Sequence, residues 1–223
     1  MTTELRNYFA LATAGKLRGE IPDLSTKINR LRRSMFLPEF YLGGTVGIAR
    51  ELIGAAVVRM LPDGDIAAGI ITETEAYLHT GDAASHSARG QTPRNRSMFA
   101  AGGTLYVYKI YGVHHCINAV TGAAGVGSAV LIRAAAPFAG IAGMQERRGK
   151  NVAATTLCRG PGNLARAFGF TTTDDGASLC SEDLFLAKIG GFAPEIAISP
   201  RVGITKAGDL PLRFFAANSP VVS

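Results

Sequence analysis

Residues 70–118 gather the most varied set of groups in this chain that could do chemistry: IITETEAYLHTGDAASHSARGQTPRNRSMFAAGGTLYVYKIYGVHHCIN. Glu73 and Glu75 are here, with every histidine, most of the tyrosines, and Arg89, Arg94 and Arg96. The flanks are rich in Ala, Gly, Val and Leu. On a strand, a period of two puts Ile71, Glu73, Glu75 and Tyr77 on one face. Two carboxylates there could do acid–base work, or could merely be solvated on a strand edge. Paired-carboxylate glycosidases flank the bond they break, whereas these two glutamates would lie on the same side of any substrate.

Residues 79–103 have no hydrophobic period, and a loop that long within a domain is usually functional. Arg89, Arg94 and Arg96 with Gln91, Thr92 and Asn95 offer many donors, and arginine suits bidentate contact with phosphate. His86 stands among small residues, where a surface histidine is the commoner outcome. Tyr106 and Tyr108 share a strand face, as core aromatics often do. Tyr111-Gly112 falls at a bend, which core packing explains poorly. Asn118 and Arg133 are polar residues in apolar strands. A buried arginine needs a partner, and Glu73 or Glu75 could supply it.

Positioning these groups calls for a particular run of elements. Residues 1–35 read as a separate basic extension, with Arg30, Arg32 and Arg33 clustered in LSTKINRLRRSM. This is either a solvated helix or tail or an auxiliary DNA-backbone contact. The globule is expected over 36–223. Thr45 should cap a helix through Leu52 and Ile53, with Val46, Ala49 and Ile53 as its apolar stripe. A strand at 55–60, turn chemistry at 62–65 and a return at 66–77 predict a hairpin. Further strands are expected at 104–112, 116–120, 129–135, 201–205 and 212–215. Pro137 should open a helix through Met144 and Arg148. A loop at 151–162 should lead to a short helix at 164–168, whose first amides could receive a phosphate.

With 223 residues and a net charge of +6, the chain reads as one basic domain with an ordinary core. Basic charge is compatible with nucleic acid without demanding it. Cys116, Cys158 and Cys180 have no metal-ligand spacing, and their odd number argues for a reducing compartment. No apolar run reaches the length of a membrane span. Glu4 and Arg6 before FALATA make a poor secretory signal.

The ordered segments ETEAY, ASHS, QTPRN, LYVYKIYG, CIN, LIRA, LCRGPGNL and RVGI resemble the alkyladenine, or 3-methyladenine, DNA glycosylase family. The resemblance runs from about residue 36 to the last residue. It implies an α+β fold, a single compact domain with a curved, mostly antiparallel β-sheet surrounded by helices and long loops. It also implies a monofunctional enzyme that flips damaged purines out of double-stranded DNA and hydrolyses the glycosylic bond, initiating base excision repair. The lesions would be 3-methyladenine, 7-methylguanine, hypoxanthine and ethenoadenine. No metal or organic cofactor and no membrane are implied, and the enzyme is expected to act as a monomer. It would work beside the nucleoid in a bacterium or in a eukaryotic nucleus.

Carried over residue by residue, Glu75 matches the general base, and Arg133 and the main-chain carbonyl of Val202 match the groups that hold the attacking water. Tyr77, His86 and Tyr108 match the residues that sandwich the base, and Asn118 matches the residue that excludes normal guanine. Tyr111 matches the wedge that fills the gap left in the stack, with Val113 on the same loop. Arg94 and Arg96 would contact DNA. Val113 departs from the methionine of many members, and His115 from another bulky residue. Both departures bear on the grip of the wedge. The spacer after His86 is one residue shorter than in vertebrate members. Two other readings compete: a damage-binding protein that keeps the tyrosines but does not need Glu75, and a nucleoside or glycoside hydrolase using both glutamates.

Overall fold

The computed structural model describes residues 23–223, together with residues 7, 10–12, 14 and 16. The Glu4 and Arg6 of the N-terminal reading lie outside them.

The alternating run Ile66–Tyr77 (β2) is the strand on which the sheet is built. It leaves Ala56–Met60 (β1) through the 62–65 turn and pairs back on it antiparallel. Its other edge pairs with Ser128–Ala139 (β5), which pairs in turn with His114–Thr121 (β4), and β4 with Leu105–Ile110 (β3). Leu184–Ala187 (β6) adds to β1, and Arg213–Ala216 (β8) pairs with both β2 and Ile196–Ser199 (β7). The main order is β3-β4-β5-β2-β1-β6, and every strand pairing among the described residues is antiparallel. The fold is therefore α+β around an open eight-stranded sheet.

Register gathers the candidate residues of five strands onto neighbouring rungs of the sheet. Tyr106 lies opposite Asn118, Asn118 opposite Leu131, Leu131 opposite Glu75, and Glu75 opposite Arg213. One step along, Tyr108 lies opposite Cys116. The β2–β5 ladder is irregular around Glu73, and Arg133 is left with no opposite residue. Such irregularities re-aim side chains, and Arg133 turns onto the two glutamates. The opposite face, with Val107, Ile117, Ala119, Val130, Ile132 and Phe214, is core. It packs on the helices Thr45–Glu51 (α2), Ile141–Arg148 (α3), Ala154–Leu157 (α4) and Pro161–Ala167 (α5).

Leu24–Arg32 (α1) is helical, as the basic segment allowed, but it is not wholly solvated. Ile28 and Leu31 are buried, and Arg32 reaches the carbonyl of Glu182 and the ring of Phe185.

Four local expectations need correction. Gly44, not Thr45, is the N-cap of α2. The Thr45 hydroxyl instead meets that of Thr121, and the buried stripe is Ile48, Ala49, Leu52 and Ile53, with Val46 exposed. Pro137 does not open a helix but lies within β5 opposite Gly69, at a register shift where a missing N–H is tolerated. The helix waits for Gly140, whose left-handed φ of 70° suits glycine and where a side chain would strike the Ile66 carbonyl. Residues 201–205 are not a strand. The strand there is β7, and Pro200, which cannot donate to a ladder, follows it. Finally, β6 answers no predicted strand.

Candidate active site

At the back of the site, Glu75 is fully buried. Its Oε1 accepts from the main-chain N–H of Val202 at 2.8 Å, and its Oε2 accepts from the Tyr77 hydroxyl at 2.9 Å. Arg133 Nη1 lies 3.3 Å from Oε2. A carboxylate without water needs this company. The strand-edge reading of Glu75 is thus wrong: β2 is paired on both sides there.

Glu73 is held differently. Its Oε1 accepts from Arg133 Nε at 2.9 Å and Arg213 Nε at 2.6 Å. Its Oε2 accepts from the N–H and hydroxyl of Ser223 at 2.7 and 2.8 Å. Burial alone would raise its pKa, but the Ser223 main-chain donor, the Arg133 charge and the Arg213 and Ser223 side chains outweigh it and hold it below the usual glutamate value. With both oxygens engaged twice, Glu73 is an anchor for arginines. The question of which glutamate partners Arg133 resolves to both.

In front of this cluster opens a cavity of about 210 Å³. Tyr77, His86, Tyr106, Tyr108, Asn118, Arg133 and Val202 all line it, and Arg94 stands in its wall. Four aromatic rings, those of Tyr77, His86, Tyr106 and Tyr108, stand among its walls and offer faces to a flat ring. The imidazole of His86 meets Tyr108 edge-on, with centroids 4.5 Å apart, and its Nδ1 shares a hydrogen bond of 2.9 Å with the Tyr106 hydroxyl. Burial, reinforced by the Arg94 charge, lowers the His86 pKa, so the ring is neutral at pH 7. Asn118 is buried and donates from Nδ2 to the Tyr106 carbonyl at 3.1 Å.

The long loop is built rather than loose. It contains 3₁₀ turns at His86–Arg89 and Arg96–Phe99. Asn95 is buried between them, accepting from the Thr92 N–H and hydroxyl and donating to the carbonyls of His86 and Gly90. Asn95 and Thr92 are thus engaged inside the loop and are not free donors for a ligand. Arg94 donates to the Lys109 carbonyl at 2.8 Å, and Arg96 is exposed.

The β3–β4 hairpin ends in Tyr111-Gly112, both with positive φ (52° and 68°), as a tight twisted turn requires. Tyrosine is strained in that conformation, and strain of this kind collects at functional sites. Tyr111 is 84 % exposed and Val113 69 % exposed. The turn thus presents two apolar side chains beyond the protein surface.

The structure brings Glu75, Arg133, Val202, Tyr77, His86, Tyr108 and Asn118 into one site and sets Tyr111 and Val113 on a projecting tip. Val202 meets Glu75 through its N–H, whereas the resemblance assigned a part to its carbonyl. Residue reading had given no role to Asp82, Arg201, Arg213 or Ser223. Arg201 stood in a motif without an assigned partner, and Asp82 is separated from it by 119 positions. No local pattern could have joined them.

The methylpurine-DNA glycosylase family model matches residues 39–220. A relative from Methanoculleus marisnigri is 47% identical over 85% of this chain and 99% of its own length. One from Chlorobium luteolum is 44% identical over 83% and 94%, and one from Rhodopseudomonas palustris 46% over 82% and 85%. All three carry a provisional name as 3-methyladenine DNA glycosylases. On that match, this chain belongs to the methylpurine-DNA glycosylase family, hydrolases of N-glycosyl bonds that serve base excision repair.

Proposed function

We propose that the protein is a monofunctional, monomeric glycosylase that flips damaged purines from duplex DNA into the aromatic cavity and releases them with a Glu75-activated water. Its lesions are 3-methyladenine, 7-methylguanine, hypoxanthine and ethenoadenine. The observation that carries this reading is the placement of Glu75: a buried carboxylate, tied to Arg133, Tyr77 and Val202, behind a cavity walled by aromatic rings.

A base within the stack is out of reach of a buried carboxylate, so the nucleotide must leave the duplex. Tyr111 enters from the minor groove to fill the vacated space. The flipped base stacks among Tyr77, His86 and Tyr108. Asn118 meets the exocyclic amino group of guanine and rejects it. As the C1′–N9 bond breaks, its electron pair leaves with the purine and positive charge grows on the sugar. Glu75 stabilises that charge and takes a proton from the water that attacks C1′. Cationic 3-methyladenine leaves readily, whereas hypoxanthine must first be protonated.

The test is single-turnover base release from matched duplexes carrying hypoxanthine, ethenoadenine or 7-methylguanine. Release without strand nicking is expected. Tight lesion binding without release from any duplex would favour the damage-binding reading, and rapid cleavage of free nucleosides would favour the hydrolase reading.

A further inference from the structure

Behind the cavity lies a second buried ion pair that the mechanism above does not use. Arg201 and Asp82 are joined by two hydrogen bonds, of 2.6 and 2.7 Å, and both side chains are wholly buried. Arg201 Nη1 also donates to the carbonyl of Ala76 at 2.9 Å. Ala76 is the residue between Glu75 and Tyr77. The guanidinium carbon lies 4.6 Å from the centre of the Tyr77 ring. The residue after Arg201 is Val202, whose N–H is bound to Glu75. Asp82 in turn accepts from the main-chain N–H groups of Leu78 and Ala84, closing the turn that carries the chain from β2 towards His86.

We propose that Asp82 and Arg201 form a positioning latch that fixes the Tyr77 ring and the Val202 N–H against Glu75 for the glycosylase reaction. Neither residue touches the base or the sugar. The latch acts through three contacts of one guanidinium: the carboxylate, the strand carbonyl between two site residues, and the ring of one of them. Two charges removed from water often stabilise a fold no better than well-packed apolar groups of the same volume, so the pair is weak evidence of a stability role alone. A planar fork, however, fixes direction in a way an apolar contact does not. The inference rests on the glycosylase reading, and its test separates the two.

Two variants are compared with wild type on a hypoxanthine duplex: Arg201→Lys, which keeps the charge but loses the fork, and the double variant Asp82→Leu with Arg201→Met, which leaves no buried charge unpaired. Burst amplitude counts correctly folded enzyme, whereas the single-turnover rate constant reports alignment. The expected result in both is near-normal amplitude with a rate constant lowered by roughly 10²-fold, the scale of a small misplacement of reacting groups. In parallel, the Val202 amide proton resonance should move upfield as its hydrogen bond to Glu75 loosens. An unchanged rate constant would overturn the latch, as would a lowered amplitude with a normal rate constant in the remaining enzyme. Wild type that releases no base would sink the glycosylase reading instead. The Val202 resonance would then still decide whether the latch holds that amide, and an unmoved resonance would reject it.

Discussion

Replacing Glu75 by glutamine separates chemistry from binding, because the surrounding donors limit what else changes. The carboxylate receives the Val202 N–H on one oxygen and the Tyr77 hydroxyl on the other. A glutamine can keep its carbonyl oxygen on Val202, and its NH₂ can donate to the Tyr77 hydroxyl, at the cost of facing the Arg133 Nη1 donor that the carboxylate had accepted. Arg133 loses one carboxylate but keeps Glu73 at 2.9 Å, so no buried charge is left alone. The stability loss should then stay near that of one perturbed buried hydrogen bond, about 1–3 kcal/mol. General-base assistance is worth about 10²–10⁴-fold, or roughly 3–5 kcal/mol of barrier at 1.36 kcal/mol per tenfold. Single-turnover release from a hypoxanthine duplex should fall by at least that factor, while fluorescence anisotropy finds lesion-duplex affinity near wild type. An undiminished rate constant would refute the assignment of Glu75 as base. Loss of binding and release together, with a collapsed melting curve, would make Glu75 a structural residue.

Other perturbations probe the remaining parts. Tyr111→Ala removes a ring that touches little of the protein, so folding stability should change by no more than about 0.5 kcal/mol. Binding to lesion duplexes, read by anisotropy, should weaken by about 1–3 kcal/mol, the range for base–aromatic stacking, and unchanged affinity would remove Tyr111 from the wedge role. Neutralising Arg94 and Arg96 to glutamine should lower the slope of log affinity against log salt by about one for each phosphate that no longer meets a guanidinium. An unaltered slope would place both arginines off the DNA. Asn118→Ser should raise background release of normal guanine by roughly tenfold or more, measured on undamaged duplex over long incubations; no rise would end its role in exclusion.

Acid stability tests the buried anchors. Asp82, like Glu73, would be raised by burial, but the Arg201 side chain and the N–H groups of Leu78 and Ala84 hold it below its ordinary value. Depressed carboxylates contribute stability that is complete above the unfolded-state values of about 4 and is lost as pH falls through the lower folded values. The urea midpoint should therefore fall gently below about pH 6.5, where the unfolded chain protonates His86 and the folded one resists it, and drop steeply below about 4, where the carboxylates follow. Glu73→Gln should start lower and flatten that drop, and an equally steep acid limb would mean that Glu73 does not supply it.

The sequence alone determined much of this protein. Period-two alternation and the Pro-Asp-Gly-Asp turn located β1 and β2, with β2 bounded as expected, because strand alternation and turn chemistry are local. The Tyr-Gly bend announced an exposed tip, since glycine marks positive φ. Ordered motifs carried the family and, through it, the residues proposed for the site. Tertiary structure alone decided the rest. It made Glu73 an anchor and left Glu75 with the remaining charge of Arg133, a division set by Arg213 and Ser223 from the far end of the chain. It engaged Asn95 inside its loop, kept Pro137 in a strand at an irregular rung, and paired Asp82 with Arg201 across 119 positions. Those outcomes depend on which groups meet once the sheet is assembled. Hydrogen bonds and ion pairs between distant residues leave no period in the chain that could reveal them.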